Sequence, residues 1–384
     1  MTNIFISTGE VSGDLQGALL IEALWRQANA AGVELEIAAL GGDRMAAAGA
    51  KLIANTTSIG SVGILESLPF VLPTWRIQRR AKQYLKQNPP DVLVLIDYMG
   101  PNLALGRYVH QHFPETKIVY YIAPQEWVFS ISDWNTKTIV EMTDLLLAIF
   151  PQEARYYQQQ GAETVWVGHP MVDRMQNAPT RKIARELLGI TLEQRIITLL
   201  PASRQQEIEY MLPLVCTAAR EIQEQLPEVE FLIPLSLPSY RGAIERAINE
   251  YSLSARVIAG KNLEAIAASD LAIAKSGTVN LEIAWLDVPQ VVFYRVNPLT
   301  AWIAKYILKF SISFMSPANL LVMKPIVPEL LQEEATPERI VSESLALLLD
   351  ESKRQEMLQG YGEMRVSLGK LGVCDRAAKE ILHS

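Results

Sequence analysis

The chain has 384 residues, 49% of them hydrophobic, and a net charge of −7 at pH 7. That is enough apolar material for two domains with separate cores, and the acidic balance argues against nucleic acid as a partner, since phosphate binding needs a broad basic surface. The two cysteines, Cys216 and Cys374, are too few and too far apart for a disulfide scaffold or a cysteine-rich metal site, and fit a reducing, cytoplasmic setting.

No signal peptide is expected from the first residues, which lack a basic region and a long apolar one. No apolar run reaches the roughly 18 to 20 residues of a membrane span, so membrane association is expected to be peripheral. Residues 4–8 read as a buried strand, followed by Gly9-Glu-Val-Ser-Gly-Asp14 and a helix over 15–27. The glycines at 9, 13 and 17 do not spell Gly-x-Gly-x-x-Gly, so a dinucleotide cofactor is not supported. Strands over 35–40, 91–96, 117–122 and 145–149 alternate with helices, which implies a parallel sheet wound on both faces. Ligands on such sheets sit at the carboxyl ends of the strands. Those ends carry Glu10 with Ser12 and Asp14, Asp97 with Asn102, and the stretch 124–127.

After Val167-Gly-His169-Pro170, residues 174–181 have the polar, proline-containing composition of a linker. The pattern then restarts, with strands over 195–200, 229–235, 255–258, 271–274 and 290–294. Two similar α/β domains with a cleft between them are expected, and pockets favour such interfaces. The first strand of the second set ends in Pro201-Ala-Ser-Arg204 with Glu207 three residues on. The run 271–274 leads through Ser276-Gly277-Thr278 into a helix, an arrangement that favours a phosphate at exposed backbone N–H groups. Glu282, one turn into that helix, is placed to accept hydrogen bonds from ribose hydroxyls. The same residues also suit an ordinary helix start, with Thr278 as cap and Glu282 complementing the dipole.

Two stretches suit a membrane surface or a greasy ligand. Leu299, Trp302, Ile303, Tyr306, Ile307 and Phe310 follow helical spacing, and the apolar run 65–75 leads into Arg76, Arg79, Arg80 and Lys82. Taken alone, each reads first as a core-facing amphipathic helix with a solvated basic face. No Walker loop, His-Glu-x-x-His, Cys-x-x-Cys or Gly-x-Ser-x-Gly is present, nor the Asp-x-Asp pair that holds a metal-bound diphosphate. Of the four histidines, His169 stands out at the expected hinge, either as a substrate contact or as an imidazole capping a backbone turn.

Together, Gly9-Glu-Val-Ser-Gly-Asp14, Ile96-Asp97, Val167-Gly-His-Pro170, Leu200-Pro-Ala-Ser-Arg204 with Glu207, Ser276-Gly-Thr278 with Glu282, Tyr294-Arg-Val-Asn-Pro-Leu299, Pro317-Ala-Asn319-Leu-Leu321 and Val327-Pro-Glu329-Leu-Leu-Gln332 resemble the lipid-A-disaccharide synthase family. The resemblance implies a GT-B fold, two Rossmann-like doubly wound parallel-sheet domains facing across a cleft. It implies an inverting, metal-independent transfer from UDP-2,3-diacylglucosamine to 2,3-diacylglucosamine 1-phosphate, with no cofactor, on the cytoplasmic face of the inner membrane. The expected domains are an acceptor-side domain over 1–172, a UDP-sugar domain over 173–355, and C-terminal helices over 356–384 that pack back on the first. Homodimerisation is left open.

By the same resemblance Asp97 is the base, and partial desolvation would raise its basicity. Arg204 grips the diphosphate, Ser276, Gly277 and Thr278 donate to it, and Glu282 takes the ribose. Glu10, Ser12, His169 and Asn319 join the substrate-binding set. The chain departs from the family pattern at Ala123-Pro-Gln-Glu-Trp127-Val-Phe129, Gly100, Ala202 and Lys275, and donor-side motifs are better kept than acceptor-side ones. A transferase with another acceptor, a UDP-N-acetylglucosamine 2-epimerase of the same fold, and a non-catalytic nucleotide-sugar-binding protein are the alternative readings.

Overall fold

A computed structural model describes residues 1–9, 11–57, 71–128, 133–201, 205–295 and 314–384, apart from the side chains of 205 and 206. Glu10, Arg204, the expected helix over 299–310 and the 65–70 part of the earlier apolar run lie outside the described residues. The chain divides into two compact units, Met1–Asp173 with Leu368–Ser384, and Arg174–Ser367.

The first unit holds β1 (Thr2–Ser7), β2 (Leu35–Gly41), β3 (Lys51–Asn55), β4 (Val92–Ile96), β5 (Lys117–Tyr121), β6 (Leu145–Ala148) and β7 (Thr164–Trp166). They form one parallel sheet in the order β3-β2-β1-β4-β5-β6-β7. Inner strands of such a sheet are covered on both faces, so they are continuous apolar runs. In β4 all five residues of Val-Leu-Val-Leu-Ile are buried, which contributes on the order of 10 kcal/mol before chain entropy is subtracted. The second unit holds β8 (Ile196–Leu200), β9 (Glu230–Pro234), β10 (Ala255–Ile258), β11 (Leu271–Lys275), β12 (Gln290–Tyr294) and β13 (Glu329–Leu331). Its order is β10-β9-β8-β11-β12-β13, again parallel throughout.

Both sheets run outward from their first strand, then restart on its other side. The order therefore reverses between β1 and β4 in one unit and between β8 and β11 in the other, the place where open α/β sheets bind ligands. Strands β3 and β13 were not expected from the sequence. Both lie at sheet edges, and each buries a single side chain, Ile53 or Leu330.

The expected boundary at 355/356 falls inside one continuous helix, Glu351–Leu368. Tyr361 of that helix donates to the Val288 carbonyl at 3.0 Å, and Arg365 donates to the Ala284 and Trp285 carbonyls, which fixes it on the second unit. The chain turns only at Gly369 and Gly372, whose φ values of +89° and +85° exclude most side chains. The last helix, Val373–His383, then packs on the helix Val11–Ala31 of the first unit. Its first turn is capped from far away, because the Asp173 carboxylate accepts the N–H groups of Gly372, Val373 and Cys374 at 2.7, 3.1 and 2.8 Å.

Candidate active site

At the reversal point of the first sheet, Asp97 follows β4 with φ +47° and Tyr98 follows with φ +51°. Non-glycine residues in this region persist only where the surroundings hold them. Here the whole Asp97 backbone is held: its N–H donates to the Ile122 carbonyl at 3.0 Å, and its carbonyl accepts from Asn102 Nδ2 at 2.8 Å and from the Tyr120 hydroxyl at 3.0 Å. Asn102, fully buried, also accepts the Ser7 hydroxyl at 2.7 Å and donates to the Ser7 and Ile96 carbonyls. One amide thereby ties the ends of β1 and β4 together. Gly9 completes the junction, since a Cβ there would fall 2.0 Å from the Tyr98 ring.

The Asp97 side chain itself is exposed. The fold holds the residue's main chain while the residue stays exposed. Ser12 is exposed in the first turn of Val11–Ala31. Its neighbour Asp14 is buried and structural, accepting the N–H groups of Gly42, Met45 and Arg44 at 2.7 to 3.3 Å.

The sequence also missed Glu153. It is completely buried at the start of the helix Pro151–Gln159, where one carboxylate oxygen accepts the Ile149 and Phe150 N–H groups at 2.9 and 3.3 Å and the other has no close hydrogen-bond partner among the described residues. Burial pushes its carboxyl up to about 8, opposed by the Ile149, Phe150 and Ala123 N–H groups and reinforced by the charge of Asp97. A signal was available: Pro151 at the first helical position and Glu153 two residues later spell a helix start.

His169 is buried, with Nδ1 accepting the Met171 N–H at 3.1 Å and the ring stacked on Phe150 at 5.4 Å. Of its two sequence readings, the structure displays the turn cap, with the neutral ring's proton assigned to Nε2.

In the second unit the reversal point lies at β8 and β11. Ser276 does not point its hydroxyl outward: it donates to the Met315 carbonyl at 2.8 Å, and its N–H goes to the Phe293 carbonyl. The Gly277 N–H is likewise taken, by Asn280 Oδ1 at 2.8 Å. Of the three expected donors, Thr278 remains as the exposed one, with no capping bond from its side chain. Asn319 is buried, and both its ends are engaged. Nδ2 donates to the Val327 carbonyl at 2.9 Å and to Glu329 at 2.7 Å, while Oδ1 accepts the Val327 N–H at 2.8 Å. It is expected to contact substrate; in the structure it holds Glu329, which receives the Met315 and Ser316 N–H groups at 2.9 and 2.8 Å. Ser276, Met315, Glu329 and Asn319 are thus one framework that shapes the turn from behind.

Asn280 repeats the role of Asn102. It lies five residues beyond the end of its strand and donates to the Lys275 carbonyl at 3.2 Å, as Asn102 does to the Asp97 carbonyl. Asn280 is bound in turn to Gln290, and Gln290 to the Tyr361 hydroxyl. Lys275 is buried and pairs with Glu207 at 2.8 Å. Glu282, with its side chain 18% exposed, is bridged by Arg174, at 23%. Arg174 lay in what read as linker, and no local pattern pointed to it.

A family model described as lipid-A-disaccharide synthetase matches residues 4–382. The chain is 60% identical over 379 residues to lipid-A-disaccharide synthase of Gloeothece citriformis, covering 99% of each, and 55% identical over 381 residues to that of Synechocystis sp., covering 99% of this chain and 97% of the relative. The crystal structure of UDP-GlcNAc 2-epimerase from Neisseria meningitidis bound to UDP-GlcNAc aligns over 99% of this chain and 99% of its own with a TM-score of 0.63 and 12% identity, a likeness of fold alone. On the match across nearly its whole length, the chain belongs to the lipid-A-disaccharide synthase family of glycosyltransferases, built as two Rossmann-like units of the GT-B class.

Proposed function

We propose that this chain transfers 2,3-diacylglucosamine from its UDP derivative to the 6-hydroxyl of 2,3-diacylglucosamine 1-phosphate, inverting the anomeric carbon and releasing UDP. What carries the reading is an exposed Asp97 on an immobilised backbone at the β1/β4 reversal point, in a chain that matches the family over residues 4–382.

Asp97 takes the acceptor hydroxyl proton as that oxygen attacks the anomeric carbon, and the bond from the carbon to the diphosphate oxygen breaks with its electron pair leaving on UDP. Its basicity rises when the bound acceptor displaces water from an otherwise exposed carboxylate. The charge on the departing diphosphate is met by the Thr278 hydroxyl and by Arg204, whose part rests on sequence alone. This assignment gives no step to a metal. Glu282 accepts the ribose hydroxyls, and Glu10 and Ser12 belong to the acceptor side. Ser276, Asn319 and His169 shape the loops that carry these groups.

An acylated substrate at a membrane surface is favoured over a soluble epimerase substrate by the helix Val71–Gln87. Val71, Leu72 and Trp75 are exposed beside Arg76, Arg79 and Arg80, and the Arg79 guanidinium lies 5.7 Å from the Trp75 ring centre. Only Ala81 and Leu85 of this helix are buried. Among the described residues no helix is long and apolar enough to cross a membrane, so the proposed contact is peripheral, with anionic head groups of the inner membrane.

The test is UDP release from UDP-2,3-diacylglucosamine by purified protein in detergent, with and without the acceptor, beside Asp97→Asn. Acceptor-dependent release that falls at least about 100-fold in the variant, with UDP binding kept, supports both the reaction and the base. Release that ignores the acceptor removes the proposal.

A further inference from the structure

The pair between Arg174 and Glu282 has a feature that stability alone does not explain. The Arg174 Nε–H is buried and meets no acceptor among the described residues, an unsatisfied donor that costs free energy. Ion pairs taken partly out of water seldom add net stability even when every donor is satisfied. A guanidinium kept in this position at that cost is serving the group it holds. That group is a carboxylate one turn into the helix Val279–Trp285, close to the exposed Thr278.

Without a partner, a glutamate side chain samples several rotamers, and fixing it at the moment of binding lowers affinity. Arg174 grips one oxygen, Oε1, so the carboxylate is oriented beforehand. Arg174 ends the helix Met171–Arg174.

We infer that Arg174 is a positioning residue for ribose recognition: it aims the Glu282 carboxylate at the two hydroxyls of a uridine nucleotide, so that discrimination between ribose and 2′-deoxyribose depends on a side chain that touches neither. The inference rests on the donor-site reading of Glu282 given above and adds a residue to it.

The experiment compares binding of UDP and 2′-deoxy-UDP by calorimetry, using the full chain in detergent. The proteins are wild type, Glu282→Gln, Arg174→Met and Arg174→Lys, each with a thermal melt. A hydrogen bond to a charged acceptor makes wild type prefer UDP by at least about tenfold. Arg174→Met brings the preference below about threefold, and Arg174→Lys restores part of it, because an ammonium keeps the charge without the planar fork. If Arg174→Met does not fold, Arg174→Gln gives the same comparison with a donor but no charge, and it too lowers the ratio. A wild-type ratio in either Arg174→Met or Arg174→Gln, whatever the loss in melting temperature or overall affinity, overturns the inference and leaves Arg174 a chain anchor. A ratio near one in wild type, or unchanged in Glu282→Gln, removes the ribose role of Glu282 itself, and that failure is seen with Arg174 intact.

Discussion

Replacing Glu153 by Gln should flatten the pH dependence of the first unit's stability. In the folded chain burial raises this carboxyl from 4.5 to about 8; unfolded, it returns to about 4.3. Between these values the folded state keeps a proton that the unfolded state releases, so stability falls as pH rises. The contribution is fully present below about pH 4.5 and lost once pH has passed about 8. At about 1.4 kcal/mol per pH unit over roughly 3.5 units, the span is at most about 5 kcal/mol. Tyr121 and Tyr157, which share the site, are both pushed above the ordinary tyrosine value by burial and stay neutral throughout this window. Gln keeps an oxygen for the Ile149 and Phe150 N–H groups but has no proton to lose. Urea unfolding of both proteins at pH 5, 6, 7 and 8, followed by hydrogen exchange of the β6 amides, gives the difference directly. Wild type should lose several kcal/mol relative to the variant across the series. Because the Asp97 charge is one of the upward pushes on Glu153, Asp97→Asn should also move the wild-type slope to lower pH. A difference that stays within about 1 kcal/mol from pH 5 to 8 would show that the carboxyl is solvated or already ionised, and the reasoning from burial would fail.

Lys275→Met removes the ammonium that Glu207 meets at 2.8 Å in a buried pair and should lower the stability of the second unit by about 3–5 kcal/mol, whereas Lys275→Met with Glu207→Leu should recover most of that loss; denaturant titration of both variants measures it, and equal losses would mean the pair is not electrostatically coupled. Asn319→Ala removes three hydrogen bonds, strands the Val327 N–H and takes one of its donors from Glu329, so a destabilisation of about 2–4 kcal/mol is expected in thermal unfolding. If Asn319 contacts substrate instead, binding will fall while the melting temperature holds.

The alternation of strands and helices was legible because a strand covered on both faces has to be an apolar run, and nearly every inner strand lies within a residue or two of its expected place. Two of the edge strands were not, since β3 and β13 each bury one side chain and carry no run to read, whereas the edge strand β10 lies where it was expected. For the same reason the C-terminal boundary was misplaced: a helix of mixed polarity gives no sign of which unit it serves until Tyr361 and Arg365 find carbonyls some 70 to 80 residues away. Strand ends named the right neighbourhoods but not the roles of the residues there. Ser276 and Asn319 have their hydrogen bonds with Met315, Val327 and Glu329, and Arg174 meets Glu282 across 108 residues. Spacing within a motif cannot encode such distances.

One local signal went unread. Asp97 with Asn102, and Lys275 with Asn280, stand at the same interval, and in both an asparagine amide holds the carbonyl of the residue at the strand end. The staple is therefore a property of the fold, repeated in both units, and the chemistry lies in what the held residue's side chain meets. Lys275 finds Glu207 and is drawn under the turn as structure. Asp97 keeps an exposed side chain on an equally fixed backbone, the condition under which a carboxylate can meet an incoming hydroxyl without the chain having to reorganise. By this argument the two strand ends are one scaffold used twice, and moving the acid to position 275 would not move the role proposed for Asp97, because there the fold already supplies it with a buried neighbour.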